Sequence, residues 1–242
     1  MAKSIQWAVE IDGLSFSYPE SPLFDQISVK IPVGSRTLLL GGNGVGKSTL
    51  LRILGGLHLV PREVLRIRGK SPFYDLATST ETALLEDEFD IHVDIQVSEL
   101  LAGRQSVKAD PKRQKQLMDL LAIDPRWHMH RVSEGQKRRV QLLLALREKH
   151  QVLLMDEITT HLDVVARADL LDWLKQDSNK NGTTLIYATH IFDGLWEKGS
   201  HWPTHLLQLA TRKPVLYLPA QKALKKSSSL YTYCASWIRR NP

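Results

Sequence analysis

Residues Gly41-Gly42-Asn43-Gly44-Val45-Gly46-Lys47-Ser48-Thr49 constrain this 242-residue chain more than any other stretch. They follow a short apolar run, Arg36–Leu40, and precede Leu50, Leu51, Ile53 and Leu54 at helical spacing. Strand, glycine loop and helix in that order fit Gly-x-x-x-x-Gly-Lys-Ser, a pattern that wraps phosphate. Glycines let backbone N–H groups turn inward around phosphate oxygens with no Cβ in the way, and the helix N-terminus adds positive dipole. Lys47 is placed to reach the β- and γ-phosphates, and the Ser48 hydroxyl to ligate Mg²⁺. Gly41, Gly42, Asn43, Gly44, Val45, Gly46 and Thr49 complete the cradle. A glycine-rich turn without a ligand is the plain alternative, and the flanking strand and helix weigh against it. The pattern predicts an α/β fold around a mostly parallel sheet, with ATP and Mg²⁺ as cofactors.

A second site is expected at Val152-Leu153-Leu154-Met155-Asp156-Glu157. Its continuous apolar run reads as a parallel strand buried on both faces. Asp156 ends that strand, where open α/β sheets bind ligands, and is suited to hold Mg²⁺. Glu157 points elsewhere and is suited to polarise an attacking water. An acidic pair that merely ends a core strand is the bland alternative, and the glycine loop makes it the weaker one.

Between the two sites lies Val132-Ser133-Glu134-Gly135-Gln136-Lys137-Arg138-Arg139-Val140. Ser133 and Gln136 have capping-box spacing at the start of a helix bearing Val140, Leu142, Leu143, Leu144 and Leu146. In this order and spacing the chain resembles the nucleotide-binding domain of ATP-binding-cassette (ABC) proteins, whose signature is Leu-Ser-Gly-Gly-Gln. Val132 and Glu134 replace the Leu and the first Gly. The resemblance implies a P-loop core with an N-terminal antiparallel β subdomain and a small helical subdomain. It also implies a head-to-tail, ATP-dependent homodimer in which Ser133, Gly135 and Gln136 close over the nucleotide of a partner copy. Glu134 places a carboxylate near that γ-phosphate.

Further elements follow from the same resemblance. Tyr18, in Phe16-Ser17-Tyr18-Pro19, looks like the aromatic that stacks on adenine. Asp163, in Thr160-His161-Leu162-Asp163, looks like the D-loop aspartate and is also a plausible N-cap for a helix over Val164–Gln176. His190 looks like the switch histidine that contacts γ-phosphate and water, which makes Glu157, His190 and Lys47 the expected catalytic set. ABC transporters keep a Mg²⁺-touching glutamine between the two phosphate motifs, but no glutamine occurs from Ile27 to Ile95. Glu88 is the nearest substitute, a third metal candidate beside Ser48 and Asp156. Asp124–Leu142 and Tyr187–Leu195 resemble a subgroup of stand-alone eukaryotic ABC ATPases, one of them associated with the Ccr4-Not complex. His128 and His130 flank Met129 with no Cys or carboxylate nearby in sequence, and read as non-metal residues.

Charge divides the chain. Lys198–Pro242 holds eight basic and no acidic residues, so 24 basic and 26 acidic residues before it leave residues 1–197 at −2 of the total +6. A body so close to neutral offers no footprint for wrapping nucleic acid, and any such contact is confined to the C-terminal tail. The tail is expected over 219–242, as short helices at Gln221–Lys226 and Leu230–Ile238, and the ABC unit over 1–218 with its helical insert near 90–150. Closing strands are expected at Leu206–Leu209 and Val215–Leu218. One cysteine, Cys234, and no apolar leader or 18-residue apolar run suggest a reducing compartment, the cytoplasm or alternatively the nucleus. The leading expectation is an ATPase acting on a protein partner. The alternatives are the ATPase subunit of a transporter whose permease is separately encoded, and a binding module with a structural nucleotide.

Overall fold

The computed structural model describes residues 7–19, 21–75, 81–86, 94–103, 109–197, 200–210, 215–225, 227 and 229–241. The chain opens with two long antiparallel strands, β1 (Trp7–Tyr18) and β2 (Ser21–Pro32), paired from Trp7↔Pro32 to Tyr18↔Ser21. Val9, Ile11, Leu14, Phe24, Ile27, Val29 and Ile31 are buried, alternating within each run but stepping by three across the register shifts. Only positions 19 and 20 lie between the two strands, a tight connection. Pro22 is accommodated because β2 is the edge of its sheet, where a missing N–H breaks no inner ladder.

The chain then crosses to β3 (Arg36–Leu40), every residue of which is buried, passes the glycine loop and enters α1 (Lys47–Leu54). β4 (Leu65–Ile67) returns to pair with the other edge of β1 and completes the order β2-β1-β4. β5 (Thr82–Leu85) precedes three helices, α2 (Val97–Gly103), α3 (Pro111–Leu120) and α4 (Glu134–Leu146). β6 (Val152–Asp156), α5 (Val164–Asn181) and β7 (Thr184–Ala188) follow, then the short β8 (Trp196–Glu197) and β9 (Ser200–His201). β10 (His205–Gln208), β11 (Leu216–Pro219), α6 (Ala220–Leu224) and α7 (Leu230–Arg240) end the chain.

The main sheet runs β11-β10-β3-β7-β6-β5, parallel except where β11 meets β10. Adjacent strands β3, β7 and β6 therefore end together, which brings the glycine loop beside Asp156 and Ala188. One core lies between this sheet and the N-terminal β subdomain, with Leu50, Leu51, Ile53 and Leu54 of α1 inside it. The other joins the opposite sheet face to α2–α5 and to Leu224, Leu230 and Cys234 near the C-terminus.

Local chemistry sets the helix ends. The Ser133 hydroxyl accepts from Gln136 N at 3.3 Å and Gln136 Oε1 accepts from Ser133 N at 2.9 Å, the capping box expected from the spacing. Asp163 Oδ1 caps α5 through Ala166 N at 2.9 Å. That helix runs five residues beyond the expected Gln176, and stops only where Gly182 adopts φ 70°. The C-terminal helices pack on the core: Leu230 and Cys234 are buried, and Gln208 Nε2 donates to Tyr233 Oη at 2.8 Å. Burial pushes the Cys234 thiol up to about 12. No helix among the described residues is long and apolar enough to cross a membrane.

Candidate active site

The glycine loop is held open from below. Gly44 and Gly46 sit at φ 76° and 99°, conformations that side chains resist. A Cβ on Gly46 would come within 2.7 Å of the Phe24 ring, so β2 presses directly on the loop. Lys47 Nζ donates to Gly41 O at 3.0 Å and Gly42 O at 2.8 Å. Burial lowers the Lys47 ammonium from its ordinary value, opposed by the carboxylates of Glu157 and then Asp156.

Above the loop lies a cavity of about 650 Å³, lined among others by Tyr18, Asn43, Gly44, Gly46, Lys47, Ser48, Thr49, Asp156, Glu157 and His190. Tyr18 reaches it from the end of β1. Its hydroxyl lies 3.3 Å from Thr49 Oγ1, and its ring meets Phe16 edge-on at 5.3 Å and His58 at 6.1 Å. Ser48 and Asp156 present hard oxygen ligands to the same space, a donor set that suits Mg²⁺.

Glu157 follows Asp156 but leaves the strand, at φ 47°. Its N–H donates to Ala188 O at 3.0 Å, and its Oε2 accepts from Thr189 Oγ1 at 3.0 Å and His190 N at 3.3 Å. Oε1 is buried with no hydrogen-bond partner among the described residues, and His190 Nε2 stands 3.7 Å away. Burial raises the Glu157 carboxyl above its ordinary value, against the lowering effect of Thr189 and His190. Glu157 thus lines the cavity as a half-buried carboxyl held through one oxygen by Thr189 and His190.

The structure thus brings together Tyr18, most of the glycine loop, Asp156, Glu157 and His190. Gly41 and Gly42 stand one step back as acceptors for Lys47, and Gly41 is pressed against Val45 and Leu209. Ser133, Gly135 and Gln136 are absent from the cavity lining. They cap α4 beside the Thr160–Asp163 turn: a Cβ on Gly135 would lie 3.0 Å from His161 O. Glu88 lies outside the described residues. Glu86, two positions earlier, pairs with Arg52 of α1 at 2.5 Å.

Sequence reasoning missed Thr160 and Thr189, whose adjacency to the motif residues was the available signal, and it missed Arg138. It also left His128 and His130 without a carboxylate. Asp94 Oδ1 lies 2.8 Å from Nδ1 of each, because the chain at Ile95–Val97 hydrogen-bonds back to Trp127–Met129. Both imidazoles are already engaged on their far side, His128 by Gln96 at 3.2 Å and His130 by the Arg131 guanidinium at 2.9 Å. The ligand atoms of Asp94, His128 and His130 lie within 4.8 Å of one another, a grouping that could hold a metal ion and that the reading of the two histidines as non-metal residues did not foresee, and hydrogen bonding from His128 holds the Asp94 carboxyl below its ordinary value.

Residues 24–160 match the ABC transporter family. This chain belongs to that family. It is 40% identical over 255 residues to ABC transporter I family member 20 of Arabidopsis thaliana, covering 96% of this chain and 76% of the relative. It is 38% identical over 244 residues to CCR4-associated factor 16 of Saccharomyces cerevisiae, covering 92% and 82%. A solved ATP-binding subunit of an ABC transporter superposes with a TM-score of 0.80 over 95% of this chain and 98% of its own, at 18% identity. The chain is accordingly an ABC-type ATPase domain, a kind that binds and hydrolyses ATP and dimerises.

Proposed function

We propose that this ABC ATPase hydrolyses ATP with Mg²⁺ in a head-to-tail homodimer and acts on a protein partner. The observation that carries this reading is the division of its machinery. The cavity gathers Lys47, Ser48, Asp156, Glu157 and His190, while Ser133 and Gly135 lie outside it and are free to serve a second copy. In this reading Lys47 and the loop N–H groups hold the β- and γ-phosphates, and Tyr18 stacks on adenine. Ser48 and Asp156 hold Mg²⁺, which neutralises phosphate charge; Glu88 is a third candidate ligand. Glu157 takes the proton of the attacking water, with His190 orienting it. Residues 1–218 form the ATPase unit and 219–242 an appendage packed on it.

Two observations support a protein partner over a permease: the absence of a glutamine from Ile27 to Ile95, and relatives that include a CCR4-associated factor. The fit of α7 to the core supports a structural role for the tail rather than a nucleic-acid grip.

The test is the ATPase rate of wild type against Glu157→Gln. Turnover is expected to fall by about 10²–10⁴-fold with ATP binding retained. Equal nonzero rates, or no ATP binding by the wild type, would sink the proposal. Capture with ATP-loaded Glu157→Gln is expected to retain a soluble protein, and recovery of a polytopic membrane protein would favour the transporter reading instead.

A further inference from the structure

Arg138 does not itself line the cavity, yet it touches what holds the cavity's carboxylate in place. It lies a little more than one turn into α4, the helix capped by Ser133, and is only 3% exposed. Its Nε donates to Ile158 O at 3.0 Å, and its Nη2 to Glu157 O at 3.3 Å. Nη1 donates to Glu86 O at 2.6 Å and also bonds Gln141 Oε1, while Gln141 Nε2 donates to the same Glu86 O at 2.9 Å. One planar fork thereby joins the helix of the signature serine, the turn after β6, and the end of β5.

A buried guanidinium is costly to desolvate, and here much of its compensation comes from backbone carbonyls. Those carbonyls belong to segments that tertiary topology alone brings together. Glu157 sits at φ 47°, a conformation that persists in a non-glycine residue only when its surroundings over-determine it. Its N–H is fixed by Ala188, and its C=O by Arg138 and by Thr160 Oγ1 at 2.8 Å.

We infer that Arg138 is a positioning residue for Glu157, coupling the placement of that carboxylate to the helix that carries Ser133. The inference rests on the proposed role of Glu157 as base. A shift of α4 when a second copy closes over Ser133 is carried by Arg138 to the Glu157 turn and to Glu86. Lysine is no substitute, because a single ammonium cannot span these carbonyls as the fork does.

The test measures kcat, KM and ATP affinity for Arg138→Lys and Arg138→Gln, with rates normalised to folded protein, and repeats Arg138→Lys in the Glu157→Gln background. Misplacing the base is expected to lower kcat by about 10–100-fold while KM and ATP affinity stay within about threefold. Arg138→Lys should cost nothing further once Glu157 is Gln, because the group being positioned is gone. An unchanged kcat in both variants, or an equal loss in both backgrounds, overturns the inference. If the Arg138 variants fail to fold, Gln141→Leu and Thr160→Val loosen the same carbonyls and should lower kcat at unchanged ATP affinity; full rates in both overturn it. A wild-type rate for Glu157→Gln overturns the base assignment and this inference with it, whereas an inactive Glu157→Gln beside a fully active Arg138→Lys overturns this inference alone.

Discussion

At the scale of single residues, Glu157 carries opposing demands of stability and function. Burial raises its folded-state carboxyl above the ordinary value of 4.5. The folded chain therefore holds the proton more tightly than the unfolded chain, and stability falls as pH rises from below 4.5 through the raised value. Glu157→Gln removes that ionisation. It is expected to raise the melting temperature at pH 7, with the gain shrinking as the pH drops below 4.5, as scanning calorimetry at several pH values would report. The wild-type kcat should climb with pH over the same window, because only the ionised carboxylate accepts the proton from water, and this limb should vanish in the variant. Gly46 makes a simpler demand. At φ 99°, with Phe24 2.7 Å from where a Cβ would sit, Gly46→Ala is expected to abolish ATP binding and cost about 1–3 kcal/mol in denaturant unfolding.

At the scale of elements, the helical segment is bolted to the core by another arginine. Arg113 of α3 forms a two-pronged bridge with Asp177 of α5, donates through Nε to Leu146 O at 2.6 Å, and stacks 4.5 Å from the Trp173 ring centroid. Both partners are about nine-tenths buried, so removing one strands the other's charge. Asp177→Ala is expected to lower unfolding free energy by about 3–5 kcal/mol, read from the urea midpoint. Neither this bridge nor the Arg138 contacts was legible in the sequence, because their acceptors, Gln141 apart, lie 19 to 64 positions away and are delivered by the sheet order. What was legible was local: the β3-loop-α1 pattern announces itself between Arg36 and Leu54, and the apolar run of β6 and the capping box of α4 within still shorter stretches. The lengths of β1 and β2 were not. Gly13 and Gln26 take positive φ at register shifts that break the period-two alternation on which strand reading depends. The Asp94 grouping was hidden for the same reason as the arginines, since Asp94 is 34 residues from His128.

At the scale of the whole molecule, the +6 charge and the ATP chemistry are kept apart. Lys222, Lys225, Arg239 and Arg240 are exposed on helices whose apolar sides are built into the core, so the excess charge decorates a packed structure. That packing is held in part by Gln208, a wholly buried side chain whose amide donates to Tyr233. The face that matters for the cycle is elsewhere. Val164 and Val165 are 73% and 69% exposed immediately after Asp163, near the Thr160 end of the cavity lining, and Ser133 and Gly135 stand beside the same turn. Apolar side chains left in water next to half a site are what a second copy would cover. Glu157→Gln with ATP is expected to double in mass by light scattering, since bound nucleotide is no longer lost to turnover. Adding Ser133→Arg should leave ATP binding intact, because Ser133 does not line its own chain's cavity, yet prevent the doubling by placing a bulky cation where, in the proposed dimer, the partner's γ-phosphate would close. Loss of ATP binding in that double variant would place Ser133 in its own site, and retention of the dimer would remove it from the interface altogether.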